Sequence, residues 1–117
     1  MRVLVVGGGG REHALAWRLK RSVSVTEVHA APGSAAMARL ATCHDVAVDA
    51  VEAQVALAKH IEAELVVIGP EAPLVAGLAD RLRSEGIATV GPDAAAAELE
   101  GSKAFAKEIM NAAGVPT

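Results

Sequence analysis

The sequence predicts an α/β domain: a five-stranded parallel sheet, doubly wound from its middle, with helices on both faces. Three observations carry this. Short runs rich in Val, Leu and Ile alternate with helical stretches along the 117 residues, the pattern of parallel strands joined by crossover helices. The first run passes into four glycines and a helix, and two later runs leave through the same device, Gly69-Pro70-Glu71 and Gly91-Pro92-Asp93. Apolar residues make up 52% of the chain but aromatics only 2%, so the core is aliphatic, as a sheet buried on both faces requires.

Taken in order, Arg2 to Val6 is a continuous β-branched run and reads as a strand covered on both sides. Arg11 to Arg21 reads as a helix. Ala14, Leu15, Trp17 and Leu19 fall on its apolar period, and Arg18, Lys20 and Arg21 sit at its end, where cations suit the helix dipole. Val25 to Ala31 reads as the second strand, closed by Pro32-Gly33, with a short helical piece over Ser34 to Leu40. Val46 to Val48 is expected as a brief third strand. Glu52 to Ala63 is expected as a helix with Val55, Ala56, Leu57 and Ile61 inward. Leu65 to Ile68 is the fourth strand. Pro73 to Ser84 is a helix that opens on proline and closes at Gly86. Ile87 to Val90 is the fifth strand. Two further helices, Ala94 to Glu100 and Ser102 to Ala113, are broken at Gly101.

The bulk properties bound the function. A chain of 117 residues makes one domain with a real core. A net charge of −3 gives no basic face for nucleic acid. One cysteine, Cys43, cannot form an internal disulfide and fits a reducing compartment. No apolar stretch reaches the roughly 18 residues of a membrane span, and the opening MRVLVVGGGG is too brief to be a signal peptide. A soluble cytoplasmic domain is expected.

The stretch VVGGGGREHA, residues 5–14, carries the chemistry. A strand, a glycine loop and a helix present free backbone N–H groups and the positive end of a helix dipole to an anion. Arg11 is placed to add a cation. The bland alternative is a tight strand–helix turn whose glycines only allow close packing. A dinucleotide is disfavoured. The G-x-G-x-x-G pattern fails from Gly7, where Glu12 takes the third position, and from Gly8, where His13 does. Strand two also ends in His29-Ala30-Ala31-Pro32, with no carboxylate at its tip for a ribose. With strand order 3-2-1-4-5 the ligand end lies between strands one and four, which sets residues 7–12 beside the loop 69–74. Glu71 there can accept hydrogen bonds from ribose hydroxyls or an amine, or can simply be a first-turn acid that suits the dipole. Together the two loops suggest a phosphorylated sugar.

Other tempting residues carry less. Cys43-His44-Asp45 cannot act as a triad, because neighbours in an extended segment point to opposite faces. The histidines at 13, 29, 44 and 60 show no metal spacing, and no metal ligands are assigned. Trp17 reads as a core or covering residue of the first helix.

Four blocks, GGGGREHALAWRL at 7–19, APGSA at 31–35, GPEAPLVAGLAD at 69–80 and LEGSKAFAKEIMNAAGVPT at 99–117, closely resemble the N-terminal part of the glycinamide ribonucleotide synthetase (phosphoribosylamine–glycine ligase) family, in the same order. Ser34 stands where most members carry Asn. The resemblance implies a Rossmann-like, pre-ATP-grasp substrate-binding domain over residues 1–101, with residues 102–117 beginning an ATP-grasp module or its linker helix. It implies an ATP-dependent ligase of de novo purine synthesis that joins glycine to 5-phosphoribosylamine through a glycyl phosphate. Carried over by position, Gly8, Gly9, Gly10 and Arg11 would face the 5′-phosphate with Glu12 close by. Gly33 and Ser34 would border the site, Pro70 would belong to the facing loop, and Glu71 would contact ribose or amine. Lys103 resembles a lysine that reaches the nucleotide in ATP-grasp relatives, and a solvated lysine at a helix start is an equal reading. ATP and Mg²⁺, or Mn²⁺, would be held by the ATP-grasp part of the same chain, so these 117 residues are expected to bind neither, to hold no catalytic residue and to be inactive alone. A dinucleotide-binding domain of an NAD(P)-dependent oxidoreductase is the alternative, and a sugar-phosphate sensor a third reading.

Overall fold

The computed structural model describes residues 1–69 and 73–91, with the side chains of all but residues 73–76 of these. The elements in chain order are β1 (Arg2–Gly7), α1 (Gly10–Lys20), β2 (Glu27–Pro32), a 3-10 turn (Met37–Arg39), β3 (Thr42–Cys43), α2 (Val51–His60), β4 (Leu65–Ile68), α3 (Pro73–Ser84) and β5 (Ala88–Val90). The expected helices at 94–100 and 102–113 and the expected domain boundary after residue 101 lie outside the described residues, as do Pro70, Glu71 and Lys103.

The five strands form one sheet in the order β3-β2-β1-β4-β5, and each neighbouring pair is parallel. This is the doubly wound topology expected from the sequence. β1 is its axis: Val3, Leu4, Val5 and Val6 are all fully buried. Alternation along the strand then divides the core in two. Val3 and Val5 pack with Leu15, Ala16 and Leu19 of α1 on one face. Leu4 and Val6 pack with Val55 and Ala58 of α2 and Leu78 and Leu82 of α3 on the other. The chain builds outward through β2 and β3 and returns to β4 on the far side of β1, so the ends of β1 and β4 diverge into a crevice.

Three expectations need correction. The third strand is Thr42–Cys43, not residues 46–48. Thr42 and Cys43 pair with His29 and Ala30, and the His44 N–H donates to the Ala30 carbonyl at 2.8 Å. The Val46 N–H then turns back to the His44 carbonyl, also at 2.8 Å, which breaks the ladder. Val46 and Val48 are apolar because they pack on the α2–α3 side of the core as coil. A buried amide holds them there: Gln54 Nε2 donates to the carbonyls of Ala31 at 3.3 Å, Val46 at 3.3 Å and Ala47 at 3.0 Å.

The second correction concerns α1, whose inward stripe is Glu12, Leu15, Ala16 and Leu19. Ala14 and Trp17 face outward; Trp17 is 50% exposed, with the Arg21 guanidinium 4.6 Å over its ring. The stripe begins with a charged residue, which hid it from an apolar period. The third concerns α2, where Ala56 is exposed and Gln54 takes the inward place. Its end at His60 is followed by Glu62 at φ 56°, the left-handed turn that stops the helix. On the outer surface Arg81 clamps Glu52 through two bonds of 2.8 Å. This joins α2 to α3 but contributes little, being exposed.

Gln54→Ala should lower the unfolding free energy by about 2–4 kcal/mol, because three carbonyls lose their donor and a cavity opens. Urea unfolding measures it. A Gln54→Leu variant as stable as the parent would show that the amide does not pin residues 46–47.

Candidate functional site

The glycine loop leaves β1 at the crevice. Gly7 is buried at φ 132°, a conformation that disfavours any side chain. The Gly33 N–H donates to the Gly7 carbonyl at 3.0 Å, and a Cβ on Gly8 would collide with the Gly33 carbonyl oxygen. The exits of β1 and β2 are therefore locked backbone to backbone. Gly9 caps α1, and the His13 N–H donates to its carbonyl at 3.0 Å. Gly9, Gly10 and Arg11 are exposed, and a Cβ on Gly10 would meet nothing within 4 Å. Of the predicted phosphate-facing residues, Gly9, Gly10 and Arg11 are exposed at a helix N-terminus, whereas Gly8 packs against Gly33.

Glu12 turns inward from the first turn of α1. It is 9% exposed, and its Oε1 accepts the Gly9 N–H at 3.1 Å, the return half of a capping box. Ser34 follows the Gly33 turn. Its hydroxyl accepts the Met37 N–H at 3.1 Å, and its carbonyl accepts the Ala38 N–H at 3.0 Å. Cys43 packs under this turn: its Sγ lies against Gly33 and 3.7 Å from the Ser34 carbonyl. The thiol thus meets backbone, and His44 pairs elsewhere, in keeping with the reading that 43–45 is no triad. The facing loop is described only as far as Gly69, whose N–H donates to the Val6 carbonyl at 3.0 Å.

One side-chain network escaped the sequence reading. His29 Nε2 lies 2.9 Å from Glu27 Oε1 and its Nδ1 lies 2.9 Å from His44 Nε2. Its trace is the Glu27–His29 alternation, which puts both on one face of β2. The pairing register sets these residues opposite Arg2 and Leu4, toward the amino end of β1 and away from the glycine loop. With Glu27 accepting from Nε2, a neutral His29 accepts at Nδ1 from His44. Burial holds the His44 imidazole below its ordinary value of 6.5, and charge on His29 and His60 adds to this. Glu27 is held low chiefly by the His29 bond and then by Arg2. A groove of about 430 Å³ opens nearby at the sheet edge, lined by Lys20, Glu27, Arg39 and Thr42 among others. Among the described residues no three His, Cys, Asp or Glu side chains converge as a metal would require, and no helix is long and apolar enough to cross a membrane.

A doubly wound parallel sheet with a glycine turn and a helix N-terminus at its switch point defines a Rossmann-like α/β domain. A family model described as "Phosphoribosylglycinamide synthetase, N domain" matches residues 1–100. The chain belongs to that family and carries its N domain. It is 59% identical over 121 residues to the phosphoribosylamine–glycine ligase of Corynebacterium ammoniagenes and 57% identical over 119 residues to that of Streptomyces coelicolor. The Mycobacterium tuberculosis enzyme is 55% identical over 117 residues. Each match covers 100% of this chain and 28% of the relative, so the chain spans a little over a quarter of those proteins. The crystal structure of phosphoribosylamine–glycine ligase from Thermotoga maritima is 31% identical, with 100% of this chain and 26% of that one covered and a TM-score of 0.49.

Two predictions follow from the geometry. Gly8→Ala should destabilise the domain by about 2 kcal/mol or more through its backbone clash, whereas Gly10→Ala should match or exceed the parent, since Ala suits a helix better by about 1 kcal/mol. Thermal melts compare the two, and a harmless Gly8→Ala would mean that the Gly8–Gly33 contact is loose. Folded His44 binds its proton less readily than unfolded His44. Stability should therefore be full above about pH 6.5 and fall as pH drops below it. Melting temperature against pH reads this, and a profile unchanged in His44→Gln would remove His44 as the source.

Proposed function

We propose that this domain binds the phosphoribosyl substrate of a phosphoribosylamine–glycine ligase, with the 5′-phosphate at the N-terminus of α1. The observation that carries the reading is the exposure of Gly9, Gly10 and Arg11 at the start of α1, set beside close backbone approaches at Gly7, Gly8 and Gly33. The N–H groups of the first helical turn lack intrahelical acceptors and suit an anion. Arg11 adds charge-assisted hydrogen bonds. The family match and the names of the relatives supply the substrate: they are phosphoribosylamine–glycine ligases.

In this reading Gly8 shapes the loop, Gly33 and Ser34 form its wall, and Pro70 and Glu71 are the residues assigned to ribose or amine. Glycine activation by ATP, with Mg²⁺ or Mn²⁺, belongs to an ATP-grasp part, and Lys103 is the residue of this chain assigned to the nucleotide. We assign the reaction to the cytoplasm, in keeping with a single cysteine that suits a reducing compartment. A dinucleotide ligand fits less well, because Glu12 fills the helix–strand contact where that fingerprint needs a small residue.

Calorimetric titration with glycinamide ribonucleotide, ribose 5-phosphate and NADH tests the assignment. The sugar phosphates should bind and NADH should not, and Arg11→Ala should weaken the phosphate ligands by about 1.5–3 kcal/mol. Tight NADH binding without response to either sugar phosphate would overturn it. An unchanged affinity in Arg11→Ala would remove that side chain from the site.

A further inference from the structure

We propose that Glu12 is a positioning residue: an internal strut that fixes the two halves of the substrate crevice relative to one another, without touching substrate. The proposal rests on the substrate assignment above and adds how the site is held in shape.

Three α-carbons without side chains surround the Glu12 side chain. A Cβ on Gly7, at the end of β1, would lie 2.5 Å from Glu12 Oε1 and 2.7 Å from its Cγ. A Cβ on Gly69, just past β4, would lie 2.6 Å from both Cγ and Cδ. On Gly9, the helix cap, it would lie 3.3 Å from Oε1. No real Cβ sits at the first two distances, so glycine at 7 and 69 makes the room that the Glu12 stem and carboxylate occupy. Oε1 is also spent on the Gly9 N–H at 3.1 Å. One side chain on α1 therefore touches the exits of both central strands and the cap of its own helix. β1 and β4 pair only as far as Val6 and Ile68. Beyond that point the Glu12 side chain, together with the Gly69 N–H bond to Val6, spans the gap between them.

The strut has a chemical consequence. Oε1 is committed to the cap N–H, and the stem is wedged between the strand ends at Gly7 and Gly69, so the side chain cannot swing outward without leaving both. Its work is done by shape and by one accepted hydrogen bond, and a glutamine supplies both.

Steady-state kinetics and melting of the full-length ligase test this. Glu12→Gln should keep the KM for phosphoribosylamine within about threefold, while Glu12→Ala should raise it about tenfold or more and leave the KM values for glycine and ATP unchanged. Gly69→Ala should lower the melting temperature in the parent but add little in the Glu12→Ala background, because the clash disappears with the side chain. The proposal is overturned if Glu12→Gln is as damaging as Glu12→Ala with both melting like the parent, since the charge itself then meets substrate. It is also overturned if the effects of Gly69→Ala and Glu12→Ala on melting simply add. The melting cycle contains no substrate, so it reads the strut even where Arg11→Ala and the sugar-phosphate titrations have removed the substrate assignment.

Discussion

The contact of Glu12 with Gly7, Gly9 and Gly69 ties the first turn of α1 to the ends of β1 and β4, and the ligand end of the domain depends on it. A doubly wound sheet needs something at its switch point, because the central strands separate there and their crossover helices lie on opposite faces. In this chain α1 covers one face, and α2 and α3 cover the other. Apolar packing fixes each helix on its own face but leaves the strand exits to diverge. A buried side chain reaching across from the helix start closes that geometry. The carboxylate suits the task because it accepts the cap N–H and lies at the positive end of the helix dipole.

The backbone around it follows the same logic. Gly7 runs into its turn at φ 132°, Gly8 gives way to the Gly33 carbonyl, and the Gly33 N–H returns the contact to Gly7. The Ser34 turn then rests on Cys43 of the edge strand. From β3 inward, each strand exit is held by the next: Cys43 by the Gly33 turn, Gly33 by Gly7 and Gly8, and Gly7 by Glu12, which also holds Gly69. The packed part of the loop is inside this chain of contacts, and Gly9 to Arg11 is its exposed part.

Much of the architecture was legible because strands buried on both faces write themselves as unbroken aliphatic runs, and Val3–Val6 and Leu65–Ile68 are such runs. The order of the sheet followed from the alternation of strands and helices. What misled was apolar sequence that is buried without being regular. Val46 and Val48 share the composition of a strand, but a side-chain amide from α2 holds their segment, and no local pattern announces that Gln54 is buried. Trp17 was drawn inward by its hydrophobicity, yet the stripe of α1 is set by Glu12, Leu15, Ala16 and Leu19. The Glu27–His29–His44 network joins residues 15 apart in sequence through the β2–β3 register, which the misplaced third strand had concealed.

The glycine loop was legible as a site but not in its division of labour. Consecutive glycines read most simply as backbone approaching one ligand, and Gly8, Gly9 and Gly10 are expected to face it. Gly7 and Gly8 are instead required by protein atoms, the Glu12 stem and the Gly33 carbonyl. The same carboxylate accounts for the failed dinucleotide pattern. That pattern reserves its third position for a small residue so that helix and strand can close together, and here a larger side chain takes the position and is accommodated by removing Cβ atoms from the strands. Helix–strand contact is thereby achieved from the opposite direction. The cost is that one of the first-turn N–H groups, that of Gly9, is already bonded. With that donor consumed and the third position filled, the loop lacks both the free cap N–H and the close helix–strand approach on which a pyrophosphate laid along the backbone depends.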